Sequence, residues 1–171
     1  MITLKQITIL DKNVPECNAL SVTKEQDNFV APNIISLAQA YDTEKAFAKG
    51  DDESRAKAYA IYENDTMAGF IMYGYFPPEP DETEETAYST TEYVYYVWRL
   101  LIDVKYQRKG IGKEAVRQIM EEIKTKPFGD ARYCYVSYEP SNVGSQTTFK
   151  NYGFQEDGRT IDGERVAGYL I

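Results

Sequence analysis

The stretch YQRKGIGKEAVRQIM, Tyr106–Met120, sets two glycines among Lys105, Arg108, Lys109, Lys113 and Arg117 in a chain that is otherwise acidic. Ile111, Ala115, Ile119 and, just beyond, Ile123 recur at every fourth position, so they share one face of a helix. Gly110 and Gly112 stand where that helix begins. Without side chains there, several backbone N–H groups converge on one anion, and the positive end of the helix dipole adds to the attraction. A tight strand-to-helix turn with a basic surface is the plainer alternative.

The flanks supply a frame for this turn. EYVYYVWRLLID before it, residues 92–103, is apolar, β-branched or aromatic nearly throughout and fits a central strand buried on both faces. Pro127 ends the helix, ARYCYVSYE (131–139) is a further strand, and SNVGSQTTFKNYGF (141–154) is a short helix capped by Ser141 or Asn142. Strand, helix, strand in this order is a right-handed βαβ unit, which makes the Trp98 and Tyr135 strands parallel neighbours. The tail RTIDGERVAGYLI reads as a hairpin turning at Asp162 and Gly163. Upstream, Ile2, Leu4, Ile7 and Ile9 suggest a strand with an irregularity between Lys5 and Gln6. Asp11 or Asn13 caps a short helix with Pro15 in its first turn. A helix follows from about Pro32 to Lys49, with Ile34, Leu37, Ala38, Tyr41 and Phe47 at helical spacing and Gly50 at its end. Residues 55–76 form a hairpin around Asn64 and Asp65. The fold class is therefore α/β, a mixed central sheet flanked by helices, in one domain spanning 1–171.

Between the hairpin and the central strand, PPEPDETEETAYSTTE carries six acids and no basic residue from Glu79 to Glu92. It is either a solvated loop or an attractor for a cationic substrate.

Composition narrows the chemistry. A net charge of -8 argues against nucleic-acid binding, which needs a broad basic face, and favours a small cationic partner. The absence of histidine excludes a Ser-His-Asp triad, a Cys-His pair and every His-ligated metal site, and no metal site is expected. The N-terminal MITLKQITIL lacks the form of a signal peptide, and no apolar run reaches membrane-spanning length. Cys17 and Cys134 are expected as buried thiols in a cytoplasmic protein.

Three phosphate-binding patterns compete for the glycine turn. A Walker loop needs an earlier glycine and a Ser or Thr after the lysine, and both are missing. GIGKEA matches a dinucleotide-binding pattern, but too little chain follows it to build the rest of that sheet. The third pattern fits. Gln107-Arg108-Lys109-Gly110-Ile111-Gly112 resembles the Q/R-x-x-G-x-G/A loop of the GNAT superfamily of acetyl-CoA-dependent N-acetyltransferases. WRLLIDVKY before the loop and Asn142 with FKNYGF after it extend the likeness over the C-terminal half. EQDNFVAPNIISLAQAY and DGERV resemble the bacterial spermine/spermidine acetyltransferase-like branch.

The resemblance implies acetyl-CoA as co-substrate, with its pyrophosphate on the amides from Arg108 to Lys113, including Lys109, Gly110, Ile111 and Gly112. Its pantetheine arm would pair with the strand at Leu100 and Ile102, a backbone N–H at the splayed strand end would polarise the thioester, and Gln107, Asn142 and Phe149 would complete the cofactor site. The chain departs from the family where a tyrosine usually protonates the leaving thiolate: that position is Phe149. Tyr152 lies three residues on and faces roughly the same side of the helix. Trp98 occupies the place of the acid that polyamine enzymes carry on the strand, which leaves Glu92, Asp103 and Glu139 as nearby carboxylates. The catalytic candidates are Tyr152, Glu139 and Glu92, and the acceptor candidates are Trp98, Glu25 and Asp27. A small amine, a polyamine foremost, is the expected acceptor, and a homodimer the expected assembly. The alternatives are a peptide or aminoglycoside acceptor, an acetyl-CoA-binding domain without catalysis, and, from another class, a nicotinamide-dependent protein.

Overall fold

Residues 1–78 and 91–171 are described by the computed structural model, so most of the acidic run from Glu79 to Glu92 lies outside the described residues. In chain order the elements are β1 (Ile2–Gln6), α1 (Val14–Asn18), α2 (Asn33–Lys49), β2 (Arg55–Glu63), β3 (Thr66–Phe76), β4 (Val94–Ile102), α3 (Ile111–Lys124), β5 (Tyr133–Tyr138), α4 (Val143–Tyr152), β6 (Gln155–Ile161) and β7 (Glu164–Leu170). One 3₁₀ turn, Val104–Tyr106, joins β4 to α3. The strands form a mixed sheet in the order β1-β2-β3-β4-β5-β7-β6, in which only β4 and β5 run parallel. α3 makes the crossover between those two, as the βαβ pattern requires.

The sheet is buried on both faces, and strand alternation sorts its side chains into two cores. Tyr59, Ile61, Ile71, Tyr73, Tyr95 and Val97 pack with Ile111, Ala115, Ile119 and Ile123 of α3 and Phe149 of α4. Ala56, Ala58, Ala60, Phe70, Met72 and Leu101 pack with Cys17 of α1 and Leu37 of α2 on the other face. Each fully buried isoleucine of α3 contributes about 2 kcal/mol of apolar transfer, and truncating one to alanine costs about 2–5 kcal/mol.

Three local readings are corrected by this two-sided burial. β1 pairs with β2 without any register shift, and no irregularity interrupts Lys5 and Gln6. Ile2 and Leu4 serve one core while Ile7 serves the other, so ordinary alternation explains the pattern. α2 does end at Gly50, in the left-handed conformation (φ 77°), but its buried face is Asn33, Ser36, Leu37 and Ala40. Tyr41 and Phe47 are exposed, because the alanines of β2 leave a shallow face that admits small residues closely. β4 is buried on both faces only in its first half.

Candidate active site

The opening in the fold begins where β4 and β5 part. Their parallel ladder holds at Tyr95↔Cys134 and Tyr96↔Tyr135 and then stops. On the other edge of β4 the register against β3 slips, so that Met72 faces Arg99 and Tyr73 faces Val97, which makes Trp98 the extra residue of a bulge. The alternation of side chains breaks there. Val97 enters one core, Trp98 packs toward the other, and Arg99 also turns that way, reaching Gln39 of α2 at 3.4 Å. A bulge and a split at the same place leave backbone groups of β4 facing the gap instead of a neighbouring strand.

Two cavities occupy the gap and share Phe29, Val30, Leu100, Asn142 and Ser145. The larger, about 570 Å³, runs along Leu100, Leu101 and Ile102 to the glycine loop. Asp103 shapes that loop: it is buried, accepts from Lys105 N at 3.0 Å and from Ser21 N at 3.0 Å, and so closes the 3₁₀ turn after β4. Gln107 donates to Ile102 O at 3.0 Å and to Gln26 Oε1 at 2.9 Å, tying the loop to the segment that covers it. Arg108 and Gly110 take positive φ (61° and 80°), and Gly110 occupies the N-cap of α3 with no side-chain acceptor. The first N–H groups of α3 therefore have no intrahelical partner and face the cavity that Gly110, Ile111, Gly112 and Lys113 line. That is a fitting cradle for a pyrophosphate.

Four of the five loop cations divide by what they face, and the fifth, Lys105, lines neither cavity. Arg117 forms a two-bond pair with Glu114, at 2.9 and 2.7 Å, which holds the Glu114 carboxyl down to about 2. Lys109 Nζ lies 4.9 Å from the Tyr106 ring centre. Arg108 and Lys113 line the cavity.

The smaller cavity, about 350 Å³, lies beyond Leu100 toward β5 and β7. Tyr96, Trp98, Tyr138 and Phe149 line it together with Ser137, Glu139 and Glu164. Tyr96 Oη and Ser137 Oγ are 2.5 Å apart, and Ser137 Oγ donates to Glu164 Oε2. Burial, with the nearby Glu156 carboxylate that accepts its hydrogen bond, pushes the Tyr138 phenol up to about 12. Phe76 stands edge-on to Trp98, centroids 5.5 Å apart, and steadies that wall.

Of the residues anticipated for the site, Leu100, Ile102, Gln107, Arg108, Gly110, Ile111, Gly112, Lys113 and Asn142 line the larger cavity, while Trp98, Glu139 and Phe149 line the smaller. Asn142 Oδ1 is committed to capping α4 through Ser145 N at 3.1 Å. Tyr152 lines neither cavity. Its ring packs on Tyr169, centroids 5.2 Å apart, beneath Lys124, because it sits at the end of α4 that turns toward α3. Lys109, Glu92, Glu25 and Asp27 also lie outside both linings, and Glu25 and Asp27 point to solvent. Turns at 24–30 present Gln26, Phe29 and Val30 inward instead, with the exposed Asn28 at the edge of the smaller cavity. Phe29 and Val30, apolar in a polar segment, were the signal for that wall. Ser137, a polar residue at the centre of an apolar strand, was the signal for the contact with Glu164.

The acetyltransferase (GNAT) family model matches residues 24–154, which include the loop, the split strands and α4. The chain belongs to that family. This acetyltransferase is 29% identical over 113 residues, 64% of its length, to the spermine/spermidine N(1)-acetyltransferase of Bacillus subtilis (strain 168), of which the match covers 67%. Its fold is shared by the PaiA N-acetyltransferase of Thermoplasma acidophilum, solved with coenzyme A, at a TM-score of 0.61 and 16% identity over 100% of this chain and 99% of that one. A GNAT family acetyltransferase of Elizabethkingia anophelis, solved with acetyl-CoA bound, superposes with a TM-score of 0.60 at 13% identity, covering 99% and 98%. Among the described residues the acetyltransferase has no group of His, Cys, Asp and Glu able to hold a metal, and no helix long and apolar enough to cross a membrane.

Proposed function

We propose that this acetyltransferase transfers the acetyl group of acetyl-CoA to a primary amine of a small cationic acceptor, with polyamines such as spermine and spermidine the favoured class. The observation that carries the proposal is the meeting of two unlike cavities at Leu100 and Asn142, one leading to an anion cradle and the other to carboxylates and aromatic rings. Acetyl-CoA, when bound, supplies an electrophilic thioester carbonyl. On this reading the amides from Arg108 to Lys113 hold its phosphates, and β4 at Leu100 and Ile102 offers backbone groups to its arm. A β4 N–H near the Trp98 bulge polarises the carbonyl.

The acceptor side must hold a cation and also free one nitrogen of its proton. An alkylamine with a pKa of about 10.4 is neutral in roughly one molecule in a thousand at pH 7, a deficit of about 4–5 kcal/mol. A polyamine eases the conflict, because Glu139 holds a distal ammonium while the reacting end lies against Tyr96 and Trp98. The name of the Bacillus subtilis relative supports this acceptor class.

Phe149 favours one second reading, an acetyl-CoA-binding protein without turnover, since it brings no hydroxyl to the cavity. An acetylation screen over spermine, spermidine, a monoamine, a peptide and an aminoglycoside separates the two, with calorimetric titration of acetyl-CoA alongside. Turnover confined to polyamines is the expected result. Acetyl-CoA binding with no product from any amine would overturn the proposal.

A further inference from the structure

The acceptor cavity contains a hydrogen-bond chain that crosses three adjacent strands, from Tyr96 on β4 through Ser137 on β5 to Glu164 at the start of β7. Its direction follows from proton counting. An ionised carboxylate only accepts, and Ser137 has a single proton, which it gives to Glu164. The 2.5 Å contact between Tyr96 and Ser137 must then be a bond donated by the Tyr96 hydroxyl. All three side chains line the cavity at the place where β4 and β5 separate. Tyr96 is 4% exposed and lies two residues before the Trp98 bulge, whereas Glu164 is only partly buried. The chain therefore runs from a dry end beside the reacting strand to a wetter end.

We infer that Tyr96, Ser137 and Glu164 form the proton relay that deprotonates the acceptor amine. The inference rests on the amine-acetylating function proposed above and names the base that function requires. One N–H bond of the ammonium breaks and its proton passes to Tyr96 Oη. The proton that Tyr96 already carries moves to Ser137 Oγ, and that of Ser137 moves to Glu164 Oε2. The nitrogen keeps the electron pair and attacks the thioester carbonyl carbon, the C–S bond breaks, the departing sulfur takes the second proton that the nitrogen sheds, and Glu164 releases its proton to solvent. Each hydroxyl ends with the number of protons it began with. Tyr96 is the member that meets the amine, and Ser137 and Glu164 act through it.

Other ionisable groups line this cavity, and they are engaged differently. Tyr138 donates to Glu156 at 3.1 Å, Arg99 reaches Trp98 O at 2.8 Å and Gln39 at 3.4 Å, and Glu139 stands outside the chain. Beside Glu164, Arg165 reaches Glu156 at 3.6 Å. Of these groups Glu139 is the rival base, and its substitution belongs in the test.

The test is kcat and KM for spermine, determined separately from pH 6.5 to 10, in wild type, Glu164→Gln, Ser137→Ala, Ser137→Thr and Glu139→Gln, with acetyl-CoA affinity measured by calorimetry in each. Glu164→Gln and Ser137→Ala are expected to lose about 10²-fold or more in kcat at pH 7, the usual size of general-base help. The deficit should shrink toward pH 10, where solvent removes the amine's proton, and acetyl-CoA affinity should stay unchanged. Ser137→Thr keeps a hydroxyl and should recover most of the loss. Glu139→Gln should raise KM and leave the pH dependence of kcat alone. A deficit of equal size at every pH, no deficit, or the predicted pH dependence appearing in Glu139→Gln instead would overturn the relay while leaving the proposed function standing. A wild type inert on every amine removes both.

Discussion

Phe149 meets Phe154 edge to face, ring centroids 5.3 Å apart at 76°, and both rings are almost fully buried beneath the cavity that Phe149 helps to line. The position is thus held by packing on one side and open to the reaction space on the other. Phe149→Tyr is expected to keep acetyl-CoA affinity and raise kcat, because a hydroxyl there adds general-acid help worth about 10² to 10⁴ where thiolate departure limits the rate. Melting temperature belongs beside the kinetics, since a buried hydroxyl without a partner costs about 1–3 kcal/mol. Tyr152→Phe removes a hydroxyl that faces Lys124, and should leave kcat unchanged. A large fall in kcat in that variant would instead give Tyr152 the donor's role.

Gly112→Val tests the anion cradle. A Cβ at Gly112 would lie 3.4 Å from Ile102 Cγ1, an ordinary contact, so the fold has room for it at that atom. Acetyl-CoA affinity is expected to fall about tenfold or more, equivalent to about 1.4 kcal/mol. Lys113→Ala should weaken binding in the same direction. Arg117→Ala, which removes a cation already paired with Glu114, should change it least. Unchanged affinity in Gly112→Val beside equal losses in Lys113→Ala and Arg117→Ala would mean that general charge, not the cradle, attracts the cofactor.

Acceptor binding should respond to salt according to acceptor charge. Exposed charges are screened beyond about 10 Å at 0.1 M ionic strength, so raising salt should increase KM for spermine more steeply than for a monoamine. Glu139→Gln should flatten the spermine curve. Parallel curves for the two amines would argue against a carboxylate-lined acceptor site.

A separate acid governs stability. Burial alone would raise the Glu122 carboxyl, but bonds from Tyr59, Lys57 and Tyr73 outweigh it and hold it below the ordinary carboxylate range. A depressed folded-state value contributes stability above the unfolded value of about 4.3, and that contribution is lost as pH falls through the folded one. Glu122→Gln is therefore expected to cost about 1–3 kcal/mol at pH 7. The gap to wild type should close as pH drops below 4, by urea unfolding at each pH. A gap that persists undiminished in acid would assign the cost to shape, not charge.

Local chemistry made the loop and its helix legible without coordinates. Gly110, Gly112 and the repeat of Ile111, Ala115, Ile119 and Ile123 are short-range signals, and each takes its effect from backbone dihedrals and helical period within a few residues. The caps at Gly50 and Asn142 and the turn at Asp162 and Gly163 belong to the same class. Acceptor-side chemistry is different in kind. Tyr96, Ser137 and Glu164 are separated in sequence by 41 and 27 positions, and only the β4-β5-β7 order brings their oxygens into one line. Glu25 and Asp27 carry the expected charge for an amine site, yet the turns at 24–30 point them to solvent and send Gln26, Phe29 and Val30 inward. Tyr152 has the expected hydroxyl, but the final turn of α4 carries it to Lys124 and Tyr169. Composition and periodicity decide which face of an element is apolar. Which distant polar atoms share a cavity depends on strand order, a bulge at Trp98 and the divergence of β4 from β5, and these are settled only when the whole sheet packs.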